Sequence, residues 1–106
     1  MMEKRYSEMT EHELWEEIAR LNEKAKKAEQ MGMMNEFAVY ERKMLVAKAY
    51  LLDPGEFKAG ETYKMIDGES TFQVSYVNGH FAWGYRNHSS KLEGVPISLL
   101  KEVSRS

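Results

Sequence analysis

The sequence predicts an α+β protein in which an N-terminal antiparallel helical hairpin is packed on a small C-terminal antiparallel β-barrel. Two observations predict this fold class. Apolar residues recur at every third or fourth position over residues 10–52, the period of a helix, and alternate over residues 61–86, the period of a strand. The chain has 106 residues, the length of one ordinary domain. We therefore expect a single domain over 1–106, with the hairpin over about 10–53 and the barrel over about 57–103.

The first helix has clear start and stop signals. Thr10 and Glu13 form the pattern T-x-x-E, a capping box in which each side chain accepts a hydrogen bond from a backbone N–H at the helix start. Gly32 suits the left-handed conformation just past a helix end. The helix should run from about residue 11 to 31. Its apolar stripe consists of Leu14, Ile18, Leu21, Ala25 and Ala28.

The second helix should begin with Asn35 as its cap and end before Asp53-Pro54, because proline disfavours helical geometry in the residue before it. Its apolar residues lie on more than one side, so we expect burial on more than one side. One stripe consists of Phe37, Tyr40, Met44, Ala47 and Leu51, and another of Ala38, Leu45, Ala49 and Leu52.

The stretch FQVSYVNGHFAWGYR, residues 72–86, predicts a β-hairpin. Asn-Gly between alternating apolar runs is typical of a type I′ turn, which needs positive φ at both central residues. Such a turn places Tyr76 opposite Phe81, Val74 opposite Trp83, and Phe72 opposite Tyr85, with all six side chains on one face. A domain of this size could hardly leave that face in water, so we predict that the six form the core, with Trp83 at its centre. The alternative is a platform on which nucleic-acid bases stack.

The other segments of the C-terminal part are shorter. Residues 60–66 should form a strand, residues 67–70 a turn and residues 87–94 a polar loop. The pattern leaves open whether residues 95–103 form a strand or a short helix. Gly84, inside a strand, indicates a bulge or a close backbone approach.

Composition excludes several classes of site. The chain has no cysteine, hence no disulfide and no thiolate ligand or nucleophile. Its net charge of −2 lacks the basic excess typical of nucleic-acid binding, so nucleic acid is the less favoured partner. No apolar run approaches the about 18 residues that cross a membrane, and the polar N-terminus is unlike a signal peptide. We therefore expect a cytoplasmic protein without a membrane contact.

No catalytic, metal-binding or cofactor-binding site is expected. His12, His80 and His88 fall in three different elements and share no ligand spacing with acidic residues. The glycines form no phosphate-binding loop ahead of a helix. No acidic residue is placed to complete a triad with His88 and the serines that follow it.

Four residues are candidates for binding a partner. Met31, Met33 and Met34 cluster where the two helices meet, and methionine adapts to irregular partner surfaces. Trp15 lies beside the apolar stripe of the first helix rather than within it, as an interface anchor would. The alternatives are that the methionines fill the core and that Trp15 covers the seam between hairpin and barrel.

Seven segments carry a resemblance to a known family. They are EKRYSEMT (3–10), HEL (12–14), NEFAVYERK (35–43), AKAYLLDP (47–54), GETY (60–63), SYVNGHFAWGYR (75–86) and PIS (96–98). On these segments, which span nearly the whole chain in order, the sequence resembles the YfhH family of Bacillus and its relatives, small cytoplasmic proteins of unknown function. The resemblance implies an SH3-like small barrel preceded by a helical hairpin, and no reaction.

Two classes of function follow as expectations. The first is a non-catalytic interaction module that binds a protein partner, or itself, through the helical hairpin. The alternative is a regulatory protein that contacts nucleic acid through the small barrel. Small barrels serve both uses, so the fold class does not decide between them.

The single-domain expectation can be tested by limited proteolysis. Because the second helix needs neighbours on more than one side, the two parts should unfold together and neither should survive alone. Digestion should therefore yield no folded fragment of residues 55–106. Recovery of such a fragment with a cooperative unfolding transition would count against the prediction.

Overall fold

A computed structural model describes residues 4–101 of the chain. Within that range the protein has two helices and a four-stranded antiparallel sheet, which confirms the α+β class. The chain divides after Leu51 into two compact units, one helical and one β. The single domain predicted over 1–106 stays a prediction. The ends of that range, and the last two residues of the barrel predicted over 57–103, lie outside the described residues.

The first unit contains a 3-10 turn at Tyr6–Glu8, helix α1 at Glu11–Gln30 and helix α2 at Met34–Ala49, and the two helices pack against each other. The capping box is confirmed. The Glu13 N–H donates to Thr10 Oγ1 at 3.2 Å, and the Thr10 N–H donates to Glu13 Oε1 at 3.0 Å. The predicted stripe of α1 is also confirmed, since its buried residues are Leu14, Ile18, Leu21, Ala25 and Ala28.

The turn between α1 and α2 is a Schellman motif. Gly32 has a φ of +72°, its N–H donates to the Glu29 carbonyl, and the Met33 N–H donates to the Ala28 carbonyl at 2.8 Å. The Met33 carbonyl then accepts the first hydrogen bond of α2. The predicted cap at Asn35 is therefore wrong, because the motif leads directly into a helix that begins at Met34.

Helix α2 is buried on two sides only near its C-terminal end. Ala47 and Ala49, from different stripes, are both fully buried. The predicted stripe residues Phe37, Tyr40 and Met44 are partly exposed.

The second unit has the strand order β1-β2-β3-β4. The strands are β1 (Thr62–Lys64), β2 (Thr71–Asn78), β3 (Phe81–Arg86) and β4 (Glu93–Pro96). Residues 95–101 contain both alternatives considered for this segment, because β4 ends at Pro96 and a 3-10 turn follows at Ile97–Leu99. Beyond β1, Met65 forms an isolated antiparallel bridge with Leu100. The four-stranded sheet is open, so a closed SH3-like barrel is not confirmed.

The turn predicted over residues 67–70 is held by one side chain. Asp67 Oδ1 accepts hydrogen bonds from the backbone N–H groups of Glu69 and Ser70, both at 2.8 Å. The two bonds hold the pKa of Asp67 below its ordinary range. Gly68, with a φ of +79°, supplies the left-handed residue that such a turn needs.

The predicted register of the β2–β3 hairpin is wrong. Asn78 pairs with Phe81, so the central turn residues are Gly79 and His80 rather than Asn78 and Gly79. Gly79 has a φ of +60° and Asn78 does not have positive φ, which fits a type II′ turn with glycine first, not type I′. Tyr76 therefore faces Trp83 instead of Phe81.

A bulge between Val74 and Tyr76 changes the register once more, and beyond it Val74 pairs with Gly84 and Phe72 with Arg86. The predicted pairings of Val74 with Trp83 and of Phe72 with Tyr85 are thus wrong as well.

The predicted six-residue core face is divided between the two faces of the sheet. Phe72 and Val74 are buried, at 0% and 1% exposure, whereas Tyr76 is 46% exposed. The other three predicted core residues, Phe81, Trp83 and Tyr85, are partly exposed and alternate with buried Ala82 and Gly84. A one-residue shift moves side chains to the opposite face of a strand, which accounts for the error. The buried apolar residues of this unit are Phe57, Tyr63, Met65, Phe72, Val74, Ala82, Val95, Ile97 and Leu100.

Replacement of Gly84 should destabilise the β-unit more than replacement of Gly94. A Cβ at Gly84 would lie 1.9 Å from the backbone oxygen of Gln73, which only a shift of the strand can relieve. A Cβ at Gly94 would lie 2.8 Å from ring atoms of Trp83, which is partly exposed and can move. We expect Gly84→Ala to cost about 3 kcal/mol or more and Gly94→Ala about 1 kcal/mol in denaturant unfolding. Equal costs would contradict the close approach of β2 and β3.

Candidate functional site

The partner-binding candidates predicted from the sequence are all exposed. Met31, Met33 and Met34 are 64%, 39% and 56% exposed, and the turn between α1 and α2 brings them together. Trp15 is 55% exposed but lies 16 residues before Met31, the C-cap residue of α1, which is roughly 24 Å along the helix axis. The structure therefore groups the methionines, which we call the methionine corner, and leaves Trp15 apart.

A small groove borders the methionine corner. Met31 and Met33 line it together with Lys24, Lys27, Ala28, Glu36 and Tyr40. The Lys24 ammonium lies 6.0 Å from the centroid of the Tyr40 ring, at the edge of the range for a cation–π contact. The corner thus combines exposed thioethers with a rim whose charged residues are two lysines and one glutamate.

The sheet presents a second candidate surface. Tyr76, Phe81, Trp83 and Tyr85 lie on the face opposite the one that carries Ala82 and Gly84, and we call them the aromatic face. The rings of Tyr76 and Trp83 stack with centroids 6.2 Å apart and planes 9° from parallel. The Trp83 ring lies over Gly94, which has no side chain to displace it.

A third surface lies in the helical unit, and sequence analysis missed it. An open groove of about 770 Å³ runs between the N-terminal segment and the two helices. We call it the basic groove, because five of its lining residues are Lys4, Arg5, Arg20, Lys24 and Lys43. Its two carboxylates are Glu13 and Glu17, and its other lining residues are Tyr6, Met9, Leu21 and Tyr40. The local signals for it in the sequence are two pairs of basic residues, adjacent Lys4 and Arg5, and Arg20 and Lys24 one helical turn apart.

Comparison with known proteins identifies the family. Residues 4–101 match the family described as "Protein of unknown function (DUF1811)". The chain is also 59% identical over 102 residues to the "Uncharacterized protein YfhH" of Bacillus subtilis (strain 168), an alignment that covers 95% of this chain and 98% of that protein. The chain belongs to the DUF1811 family. The resemblance seen in the sequence is confirmed.

The region that matches the DUF1811 family contains all three candidate surfaces. The methionine corner, the aromatic face and the basic groove all lie within residues 4–101. The family description states no activity, so the surfaces themselves have to indicate what this DUF1811 protein can do.

Both carboxylates of the basic groove are held in their ionised form. Glu13 accepts hydrogen bonds from the Thr10 N–H and, at 2.9 Å, from Lys4, which together lower its pKa from 4.5 to about 2. Glu17 accepts two hydrogen bonds at 2.9 Å from the Arg20 guanidinium and one at 3.1 Å from the Tyr6 hydroxyl. The Arg20 contact is the main reason that the pKa of Glu17 lies below its ordinary value.

The described part of this DUF1811 chain contains no group of three or more histidine and acidic residues that could hold a metal ion. His12 pairs with Glu16 on α1. His80 is partly buried next to the hairpin turn, and His88 lies exposed in the loop after β3 with a φ of +63°. Over the same residues, neither helix combines the length and the apolar composition that a membrane span requires.

The role of Arg20 can be tested by titrating Glu17. Arg20→Gln should raise the pKa of Glu17 more than Tyr6→Phe does, because the charged donor makes the larger contribution. Since the pKa of Glu17 is lowered in the folded state, its stabilising effect is present above about pH 4.5 and disappears as pH falls through the lowered value. The measurement is an NMR titration of the Glu17 carboxyl in the parent and both variants. A larger effect of Tyr6→Phe would contradict the assignment.

Proposed function

We propose that this protein is a non-catalytic interaction module that binds a protein partner, or a second copy of itself, through the helical hairpin. The observation that supports this best is the exposed methionine corner. Three large apolar side chains, each about half exposed, lie close together in sequence there, and covering the exposed half of each contributes roughly 1 kcal/mol before the entropic cost of association. Methionine is also flexible enough to fit a partner surface of irregular shape.

The distribution of exposed apolar residues supports the hairpin as the binding unit. Among the described residues, the exposed large apolar residues of the helical unit are Trp15, Met31, Met33, Met34 and Val39, whereas those of the β-unit are Ile66, Tyr76 and Leu92. Helix α2 has apolar residues on several sides, and most of them are not fully buried. A helix of this kind is typical of a surface that a partner completes.

The same proposal includes an SH3-like closure of the β-unit. The Ile66 N–H donates to the Leu99 carbonyl at 2.9 Å, and the Lys101 N–H donates to the Lys64 carbonyl at 2.7 Å. These bonds and the Met65–Leu100 bridge join the segment after β4 to the end of β1, as a closing fifth strand would.

Location in the cytoplasm remains a prediction.

A second candidate function is contact with nucleic acid through the aromatic face. The observation that favours it is the exposure of Tyr76 and the stack that it forms with Trp83, because stacking on an aromatic ring contributes about 1–3 kcal/mol per base. The charges nearby favour it less. Arg86 pairs with Phe72 in the register and so lies on the face of the sheet opposite Trp83. It is also paired with Glu93 at 3.0 and 3.3 Å, so its guanidinium is already neutralised.

The hairpin proposal predicts that charges at the methionine corner abolish association. The variant Met31→Lys/Met34→Lys should weaken self-association or partner capture at least about tenfold, the effect of losing a small hot spot. Self-association is measured by sedimentation over a range of concentrations, and partner capture by crosslinking of the tagged chain in cells. The matched control is Ile66→Lys/Leu92→Lys, which places the same charges at exposed apolar positions of the β-unit. If both variants behave like the parent, the corner is not the binding surface.

A variant with a single tryptophan tests the nucleic-acid alternative. In a Trp15→Phe background, Trp83 is the single tryptophan, so its fluorescence reports contact with the aromatic face. We expect no change on addition of mixed single-stranded DNA or RNA at low salt. Quenching that disappears steeply as salt rises would support the nucleic-acid function instead.

A further inference from the structure

The basic groove concentrates positive charge in an acidic protein. Its five basic residues exceed its two carboxylates by three charges, although the whole chain has a net charge of −2. The remainder of the chain therefore has a net charge of −5. A positively charged groove in a protein of negative net charge attracts anions, whereas the rest of the surface repels them. An acidic ligand is therefore directed to the groove.

The positive charge of the groove is not cancelled from within. Glu13 forms an ion pair with Lys4 at 2.9 Å, and Glu17 forms one with Arg20. Within residues 4–101, neither Arg5, Lys24 nor Lys43 forms an ion pair with a carboxylate. All three are exposed side chains. Glu17, which is hydrogen-bonded to Arg20, also interacts electrostatically with Lys43, so the groove is left with an excess of three positive charges rather than with three wholly free cations.

The shape of the groove favours an extended ligand. It follows α1 from Glu13 to Lys24, eleven residues along the helix, or roughly 16 Å. It is open rather than enclosed, whereas a small molecule is usually buried over most of its surface. Partly exposed Tyr6, Met9 and Tyr40 add apolar contacts between the cations. Such a surface matches a peptide in which acidic and apolar side chains are interspersed.

We infer that the basic groove binds an acidic segment of a partner protein. Its Asp and Glu carboxylates would pair with Arg5, Lys24 and Lys43, and its apolar side chains would contact Tyr6, Met9 and Tyr40. The inference rests on the proposed function, since it takes the hairpin as the unit that binds proteins, and it adds the chemistry of the partner. The basic groove shares Lys24 and Tyr40 with the small groove beside the methionine corner, but none of the three methionines lines it. Variants at Met31 and Met34 therefore test the corner without changing the basic groove.

The experiment selects ligands without assuming their sequence. A library of random peptides displayed on phage is panned against the full-length protein, and enriched peptides are synthesised with a fluorescent label for anisotropy measurements. We expect the enriched peptides to be rich in Asp and Glu with interspersed Leu, Phe or Tyr. Their affinity should decrease as salt increases, because the pairing charges are exposed to solvent.

Charge reversal then locates the site. Lys24→Glu/Lys43→Glu should weaken binding of the acidic peptides at least about tenfold. Lys26→Glu/Arg42→Glu is the matched control, since it makes the same change in net charge at exposed positions on the same two helices that do not line the groove. It should leave the affinity close to that of the parent. If Lys24→Glu/Lys43→Glu fails to fold, Lys24→Ala/Lys43→Ala replaces it, since this is a milder change at exposed positions. The alanine variant should weaken peptide binding by less than charge reversal but by more than the control variant does.

Several results would overturn the inference. They are enrichment of peptides that are not acidic, no enrichment at all, equal weakening by the groove and control variants, and displacement of the peptide by a single-stranded DNA oligonucleotide that binds more tightly. Met31→Lys/Met34→Lys separates this inference from the proposed function. If that variant associates like the parent while acidic peptides still bind the groove, the methionine corner is not the association surface and the inference about the basic groove is supported. If peptides do not bind but the variant loses association, the groove is rejected and the corner stands.

Discussion

The register between β2 and β3 determines the composition of both faces of the sheet. Gly79 alone takes positive φ in the turn, and an extra residue at Ser75 then shifts the pairing of β2 by one. Alternation along β3 puts Phe81, Trp83 and Tyr85 on one face and Ala82 and Gly84 on the other. The bulge then places Phe72 and Val74 of β2 on the face of Ala82 and Gly84, and leaves Tyr76 with Trp83. The inner positions of β3 hold small residues, which lets β2 approach closely, and the unit is filled mainly from the other strands.

The helical unit depends on local hydrogen bonds at the two ends of α1. The capping box satisfies the first backbone donors of α1, and the Schellman motif at Gly32 satisfies its last carbonyls. The motif also fixes where the methionines lie, since it turns the chain within three residues. Met31 and Met33 flank the glycine, and Met34 begins α2. The exposure of the methionine corner thus follows from a turn that is too short to bury long side chains.

Charged and apolar side chains lie next to each other on two surfaces of the helical unit. The basic groove combines unpaired cations with tyrosine and methionine side chains, whereas the methionine corner exposes thioethers beside Lys24 and Lys27. Charges of this kind act on association rate and on choice of partner, while apolar contacts contribute more of the affinity. The aromatic face of the sheet has little of this positive charge, since Arg86 lies with Phe72 on the other face and is paired with Glu93. The helical unit is therefore the better equipped of the two for recognising an acidic protein.

The sequence by itself determined the α+β class, both ends of α1, its buried stripe and the family. These features depend on residues at most a few positions apart, such as Thr10 with Glu13 or Leu14 with Ile18, or on identity along the whole chain. Only the tertiary structure decided the β2–β3 register, because Gly84 indicates a bulge or a close approach without locating the extra residue at Ser75 on the other strand. The division of the predicted core between the two faces is a consequence of that register. It also decided the basic groove. Lys4, Lys24 and Lys43 are about twenty residues apart in sequence. The packing of α2 against α1 brings Lys43 to the side of Lys24, and the contact of the N-terminal segment with α1, through Lys4 and Glu13, adds Lys4.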